Sequence, residues 1–177
     1  MNTDLLISSV TAADINELVL LVNSAYRGDS SKKGWTTEAE LLEGVRTDPI
    51  TLLAQINQPG LTILKATNEI HEIIACVSLE EKGNKFYLGM LTVKPDIQAS
   101  GIGKKMMQAA ENFARSKNKF CIEMTVISVR TELIAFYERR GYQQTGEKRD
   151  FPTDPKFGIK KQELEFVVLE KNLEKAC

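Results

Sequence analysis

Between Phe86 and Arg115 the sequence passes from a strand pattern to a helix pattern across a glycine loop, and this constrains the chain more than any other stretch. Phe86 to Val93 is mostly apolar and reads as a strand. Gly89 interrupts it, and an isolated glycine in a strand predicts a bulge or a close backbone approach. After Lys94-Pro95-Asp96 comes Gln98-Ala99-Ser100-Gly101-Ile102-Gly103. Met106, Met107, Ala110, Phe113 and Ala114 then recur on one helical face. Phe120 to Ile127 supplies the next strand. A strand–helix–strand unit of this kind needs a sheet with helices packed on it.

The flanking segments agree. Leu5 to Ser9 reads as a first strand. Thr11, with Asp14 as a capping partner, opens a helix carrying Ile15, Leu18, Val19, Val22 and Tyr26. Arg27 to Gly34 is polar and reads as a loop. Thr37 with Glu40 fits a capping box ahead of Leu41, Leu42 and Val45, which predicts a second helix. Asp48-Pro49 starts a short helix through about Gln55, and Gln58-Pro59-Gly60 is a turn. Leu61 to Thr67 and Ile73 to Leu79 flank a polar connection and predict a hairpin. Leu133, Phe136 and Tyr137 belong to a further helix, stopped by Arg139-Arg140-Gly141. Leu164 to Leu169 is the final strand. The expected fold is mixed α/β (α+β) in three layers. With 177 residues and no linker or repeat, one domain over 1–177 is expected.

Composition narrows the function. A formal charge of -1 gives no electrostatic case for nucleic acid. Cys76, Cys121 and Cys177 form no C-x-x-C pair, and the single histidine, His71, is expected on a surface loop. No His/Cys metal set, disulfide framework or Ser-His-Asp machinery can be assembled from these. No stretch is apolar and long enough to span a membrane. A metal-free, cytoplasmic protein with no membrane or nucleic-acid partner is the expectation.

The glycine loop is an anion cradle. Glycines let backbone approach a ligand closely, and the free amides at a helix start favour negative charge. Lys104 and Lys105 sit in the first helical turn, where a bound phosphate would offset the unfavourable dipole. The P-loop pattern fails because Gln98 stands where its first glycine is required. The dinucleotide pattern G-x-G-x-x-G fails at Met106.

Gln98-x-x-Gly101-x-Gly103 directly after a strand resembles the pyrophosphate loop of the GNAT superfamily of N-acetyltransferases. Leu91-Thr92-Val93-x-Pro95 resembles the end of that family's fourth strand, and Met106 to Arg115 its third helix. Phe136-Tyr137 to Gly141-Tyr142 is similar to its F-Y-x-x-x-G-[FY] segment, and Leu164 to Leu173 to its closing strand. The resemblance runs from about Ile73 to Leu173. It implies a three-layer α-β-α sandwich with a mixed, splayed central sheet, and acetyl-CoA as cosubstrate in the gap between the fourth and fifth strands.

Carried onto this chain, the resemblance implies that backbone of Met90, Leu91, Thr92 and Val93 holds the pantetheine arm. Amides from Gln98, Ala99, Ser100, Gly101, Ile102, Gly103 and Lys104 would hold the pyrophosphate. The Leu91 amide would face the developing oxyanion, and Tyr137 would donate a proton to the leaving thiolate, although its ring also suits the core. Some members carry a glutamate at the position of Tyr87. Glu123 and Glu80 are the candidate replacements as base, acting through water, although each also reads as a solvated or paired surface charge. Arg130 replaces a common asparagine, and a CoA phosphate is its expected partner. Tyr26 and Trp35 lie in the stretch expected to meet the acceptor, with Phe151-Pro152-Thr153-Asp154-Pro155 as a second wall; Trp35 could equally staple its loop to the core. The implied activity is acetyl transfer from acetyl-CoA to a primary amine of a small molecule or peptide, in a class where homodimers are common. A catalytically weak acyl-CoA sensor is the rival expectation, and a nucleotide-binding regulatory domain a second.

Overall fold

The structure is a computed structural model, and it describes residues 5–174. Among the described residues the nine strands are β1 (Leu6–Ser9), β2 (Leu42–Glu43), β3 (Leu61–Thr67), β4 (Ile73–Lys82), β5 (Lys85–Val93), β6 (Cys121–Ile127), β7 (Gln143–Asp150), β8 (Ile159–Lys160) and β9 (Glu165–Asn172). Among the described residues the five α-helices are α1 (Ile15–Tyr26), α2 (Gly28–Ser31), α3 (Pro49–Ile56), α4 (Ile102–Ser116) and α5 (Thr131–Glu138).

Seven strands form one sheet in the order β1-β3-β4-β5-β6-β9-β7, and β2 pairs with β8 separately. All neighbours in the large sheet run antiparallel except β5 and β6. Helices cover both faces, so the chain has the three-layer mixed sandwich its sequence implies.

Patterning explains the layers. On α4, Met106, Met107, Ala110 and Ala114 are buried. They pack with Ala75, Val77 and Leu79 of β4 and with Ile134 and Tyr137 of α5. Leu18, Leu21 and Val22 of α1 pack with Leu52 of α3 on the other face. Asp48 caps α3 by accepting from the Thr51 amide at 2.8 Å, as its Asp-Pro start predicts.

The glycine-marked irregularity in β5 is a bulge. Ser78 pairs with Gly89 and Cys76 with Thr92, so β5 has one residue more than β4 over this interval. The left-handed residue is Met90, at φ 51°, one position after the glycine. The extra residue reverses the strand's facing. Phe86 and Leu88 join the α4 side, Met90 turns to the α1 side, and Leu91 and Val93 return to the α4 side.

Beside the bulge the sheet opens. β5 and β6 pair only at Phe86↔Ile122 and Tyr87↔Glu123, and they diverge beyond that point. This is the splay expected of the central strands.

Three expectations need correction. Thr37 does cap a turn, accepting from the Ala39 amide at 3.1 Å, but no helix follows. Leu42 is drawn into a cluster with Ile127, Phe151 and Leu164, and β2 forms instead. Arg27 to Gly34 is not wholly a loop, since it contains the single-turn α2. Gln143 to Asp150, left without regular structure by the sequence, forms β7. Its side chains are almost all exposed, so it lacks apolar alternation; an edge strand requires only the ladder to β9.

Candidate active site

The opening between β5 and β6 leads into two cavities. The first, of about 330 Å³, is bounded by the end of β5, the loop before α4, and α5. The second, of about 350 Å³, lies among β4, β5, β6, the segment after Tyr26 and the Phe151–Phe157 stretch. Tyr26, Leu91, Leu133 and Tyr137 belong to both walls, so the cavities meet there.

The loop before α4 is built as its sequence suggests. Ala99 and Gly101 both take left-handed backbone, at φ 66° and 85°. Gly101 is the N-cap and supplies no side-chain cap, so the first amides of α4 are left for a ligand or solvent. Gly101, Gly103 and Lys104 line the first cavity with Arg139 and Arg140. Three cations and a helix start thus border one space, an arrangement suited to a polyanion. Arg140 is fixed over the Phe136 ring, 3.5 Å from its centroid, and donates to the Phe136 carbonyl at 2.7 Å.

The Gln98 side chain has a structural task that the sequence does not suggest. Its side chain donates to the Val93 carbonyl at 3.0 Å and to Thr36 Oγ1 at 2.8 Å. It also accepts from the Trp35 amide at 2.9 Å. Gln98 is therefore a strut tying the Trp35 segment to the end of β5. Gly34 permits this contact, since a Cβ there would lie 2.5 Å from the Gln98 side-chain oxygen.

The remaining residues expected to hold the cosubstrate divide. Leu91, Val93 and Ala99 line the first cavity. Met90 faces the second. Thr92 is buried and its hydroxyl bonds the Met90 carbonyl at 3.0 Å. Ser100 is exposed and bonds the Ile97 carbonyl at 2.6 Å, while Ile102 packs on the core.

Arg130, expected to meet a CoA phosphate, does not line the first cavity with the helix start. It lines the second cavity, donates to the Trp35 carbonyl at 3.3 Å and stands 3.7 Å from Glu38. The helix α5 begins just after it and aims its side chain back toward the α1–β2 segment. Trp35 lines the first cavity and not the second, its ring tilted against Phe136 at 5.2 Å between centroids, a contact in keeping with the alternative expectation that it staples its loop. Tyr26 borders both spaces, and its hydroxyl donates to the Leu91 carbonyl.

Glu123 lines neither cavity. It is held by Arg149 at 2.8 Å and Lys85 at 3.1 Å. Burial acts to raise its pKa, but the hydrogen bonds from Arg149 and Lys85 outweigh it and hold the carboxyl below its ordinary range. Glu80, the other candidate base, does lie in the second cavity, bonded by Lys82 at 2.7 Å and Gln58 at 2.9 Å. Tyr87 bonds Thr125 across the β5–β6 junction at 2.6 Å.

Tyr137 stands apart from the other phenols. Tyr26, Tyr87 and Tyr142 all have hydrogen-bond partners, and among the described residues the Tyr137 hydroxyl has none. Its ring is fixed edge-on to Phe136 at 5.3 Å and to Tyr142 at 6.1 Å. Burial, with a smaller contribution from Tyr26, pushes its pKa well above the usual 10. Burial, then the Glu38 charge, pushes Tyr26 up to about 12. Both are neutral donors at neutral pH.

Sequence reasoning misses Phe136, Arg139 and Arg140 as cavity residues. In the sequence the two cations read only as a helix stop, and nothing in their spacing says that the helix end faces a cleft. No group of three or more His, Cys, Asp or Glu able to hold a metal occurs among the described residues. No described helix is long and apolar enough to cross a membrane.

Residues 38–152 match the family model described as an acetyltransferase (GNAT) domain. No curated protein matches the chain. Among solved structures, the ribosomal-protein-S18-alanine N-acetyltransferase of Escherichia coli superposes with a TM-score of 0.71 at 14% identity, over 98% of this chain and 96% of that one. An N-acetyltransferase from Staphylococcus aureus Mu50 gives 0.73 at 17%, over 96% and 97%. A ribosomal-protein-alanine N-acetyltransferase from Brucella melitensis gives 0.71 at 18%, over 95% and 99%. At these identities the likeness speaks for the fold.

Proposed function

The chain belongs to the GNAT acetyltransferase family, and from that premise we propose that it transfers the acetyl group of acetyl-CoA to a primary amine of a small molecule or peptide. The observation that carries this reading is the meeting of two cavities at Tyr26, Leu91, Leu133 and Tyr137. Direct transfer between two bound substrates needs both reacting atoms brought together in one place, and two cavities that meet allow each substrate its own entrance. The first cavity, with its cations and helix start, suits the phosphates of CoA. The second carries both signs of charge and aromatic walls, which suits a polar acceptor.

In this reading the pyrophosphate rests on the first amides of α4, with Lys104, Arg139 and Arg140 nearby. The pantetheine arm follows the edge of β5 exposed by the splay. Met90 and Leu91 fall outside the register pairs of β5 with either neighbour, which leaves that edge free to bind a chain-like ligand. Tyr26 holds the Leu91 carbonyl, so the bulge keeps a fixed shape.

The acceptor nitrogen attacks the thioester carbon as a neutral amine. A C–N bond forms, charge collects on the carbonyl oxygen near the Leu91 amide, and the C–S bond breaks. Tyr137 then donates to the departing sulfur. A thiol near ~8.5 is a stronger acid than a phenol near ~10, so full proton transfer is uphill by about 2 kcal/mol before burial is counted. The contribution of Tyr137 is therefore a hydrogen bond that strengthens as the thiolate forms. The amine's surplus proton leaves through the second cavity, where Glu80, and not Glu123, forms part of the wall.

The test is an amine panel with acetyl-CoA, reading thiol release and the mass of the product. Amine-dependent thiol release with a matching acetylated product is expected. Saturable acetyl-CoA binding with no acetylated product from amino acids, polyamines, aminoglycosides or peptides would make the chain a sensor instead.

A further inference from the structure

We propose that the second cavity receives an acceptor that carries a carboxylate beside its amine: an α-amino acid with an apolar side chain, its carboxylate held by Arg130 and Arg46. This deepens the acetyl-transfer reading and rests on it.

The charges in the wall do not balance. Arg27, Arg46 and Arg130 share it with Glu38 and Glu80. Arg27 is fully engaged: it donates to Glu38 Oε2 at 3.3 and 3.2 Å and to the carbonyls of Gly44 and Phe157 at 3.4 and 3.2 Å. Glu80 is taken by Lys82 and Gln58. The Arg130 side chain is only 9% exposed. Its Nη2 has the Trp35 carbonyl, but its Nη1 is buried with no hydrogen-bond partner. Glu38 Oε1, at 3.7 Å, helps by charge but lies beyond hydrogen-bonding distance. A buried guanidinium N–H without a partner is costly, and an anion entering the cavity relieves it. Arg46 lines the same cavity with its guanidinium carbon 5.8 Å from the centroid of the Tyr26 ring, and it enters no ion pair among the described residues.

Position selects the class of acid. Arg130 lines the second cavity together with Tyr26 and Tyr137, the two phenols of the wall that both cavities share. A carboxylate on Arg130 thus lies near the junction where the reacting nitrogen enters, as it does in an α-amino acid. Two nearby cations also disfavour the ammonium form. A free amino acid's own carboxylate holds its ammonium above the ~7.7–8.0 of a peptide N-terminus, and pairing that carboxylate with Arg130 and Arg46 offsets this effect and eases loss of the proton. That fits a site whose strand position beside Glu80 holds the hydrogen-bonded phenol of Tyr87 rather than a free carboxylate. Phe151, Phe157 and Phe166 supply the apolar wall for the side chain.

The test has an arm that needs no turnover. Calorimetry with CoA present compares hydrocinnamate with hydrocinnamyl alcohol on the wild type, Arg130→Met, Arg130→Lys and Arg46→Met. The acid is expected to bind at least about tenfold more tightly than the alcohol. Arg130→Met removes that preference, Arg130→Lys restores part of it, and Arg46→Met weakens it even if Arg130→Met folds poorly by circular dichroism. In the kinetic arm, kcat/KM for phenylalanine exceeds that for phenethylamine. Equal binding of acid and alcohol, or equal acetylation of the two amines, overturns the carboxylate site and leaves acetyl transfer standing. Tight hydrocinnamate binding that Arg130→Met abolishes, with no amine acetylated, supports the anion site and refutes the acetyl-transfer reading.

Discussion

Replacing Tyr137 by Phe removes one oxygen from the junction of the two cavities and nothing else. The ring stays edge-on to Phe136 and Tyr142 and within the main core cluster. The lost hydroxyl has no hydrogen-bond partner among the described residues, so the variant sheds no internal bond. Its melting temperature should match the wild type within about two degrees, or rise. Catalysis is affected differently. A hydrogen bond to a charged group contributes about 1.5–3 kcal/mol. General acids typically supply about 10²–10⁴-fold. The uphill proton transfer to a thiolate puts this case at the low end, near 100-fold, or about 2.7 kcal/mol of barrier. The assay is continuous thiol detection at saturating acetyl-CoA, with binding followed separately by thermal shift. The expected result is a fall of about 100-fold in kcat with the acetyl-CoA shift preserved. Wild-type turnover in Tyr137→Phe would refute the proton-donor assignment, and a melting temperature many degrees lower would make the residue structural. Because burial raises the Tyr137 pKa above the usual 10, any fall in wild-type kcat below pH 10 should persist in Tyr137→Phe; a falling limb that this substitution removes would contradict the raised pKa.

Other expectations follow from the same geometry. Gln98→Ala releases the Trp35 segment from β5, so amide exchange at residues 34–36 should accelerate and KM for acetyl-CoA rise about tenfold, with kcat changed less; unchanged exchange would refute the strut. Glu123→Gln should leave kcat within about threefold of wild type, since the residue lines neither cavity, while uncoupling Lys85 and Arg149 and lowering the melting temperature. The Glu123 pKa is lowered in the fold, so its stabilising effect is present above the ordinary glutamate value of 4.5 and is lost as pH falls through the folded value. The melting-temperature gap between wild type and Glu123→Gln should therefore be constant near neutrality and close below about pH 4.5; a pH-independent gap would contradict this. Gly101→Ala must hold a left-handed φ of 85° and should cost about 1–2 kcal/mol while weakening acetyl-CoA binding; a neutral effect on both would show that the loop conformation is not required.

The local signals that proved legible were those whose physics is confined to neighbouring residues. The Gln98–Gly103 loop, the cap at Asp48 and the irregularity at Gly89 each announce a backbone need within a few positions. The helix expected after Thr37 fails because Leu42 answers to distant partners, Ile127, Phe151 and Leu164, which no window around it contains. β7 is silent in the sequence because an exposed edge strand carries no apolar period. Which cavity Arg130 and Trp35 line cannot be read from their sequence positions, since the direction of a side chain at a loop–helix junction depends on how α5 and the 34–36 segment pack. The resemblance of its surrounding segment singles out Tyr137, while its burial at the junction of the cavities and its unpartnered hydroxyl among the described residues are visible only in three dimensions.

The central claim, a cleft for acetyl-CoA between β5 and β6, is tested most directly by thermal shift with acetyl-CoA, CoA and ATP. A ligand at about 100 times its dissociation constant adds roughly 2.7 kcal/mol, which moves a domain of this size by several degrees. The account predicts such a shift with acetyl-CoA and CoA and none with ATP. No shift with acetyl-CoA at millimolar concentration would contradict it.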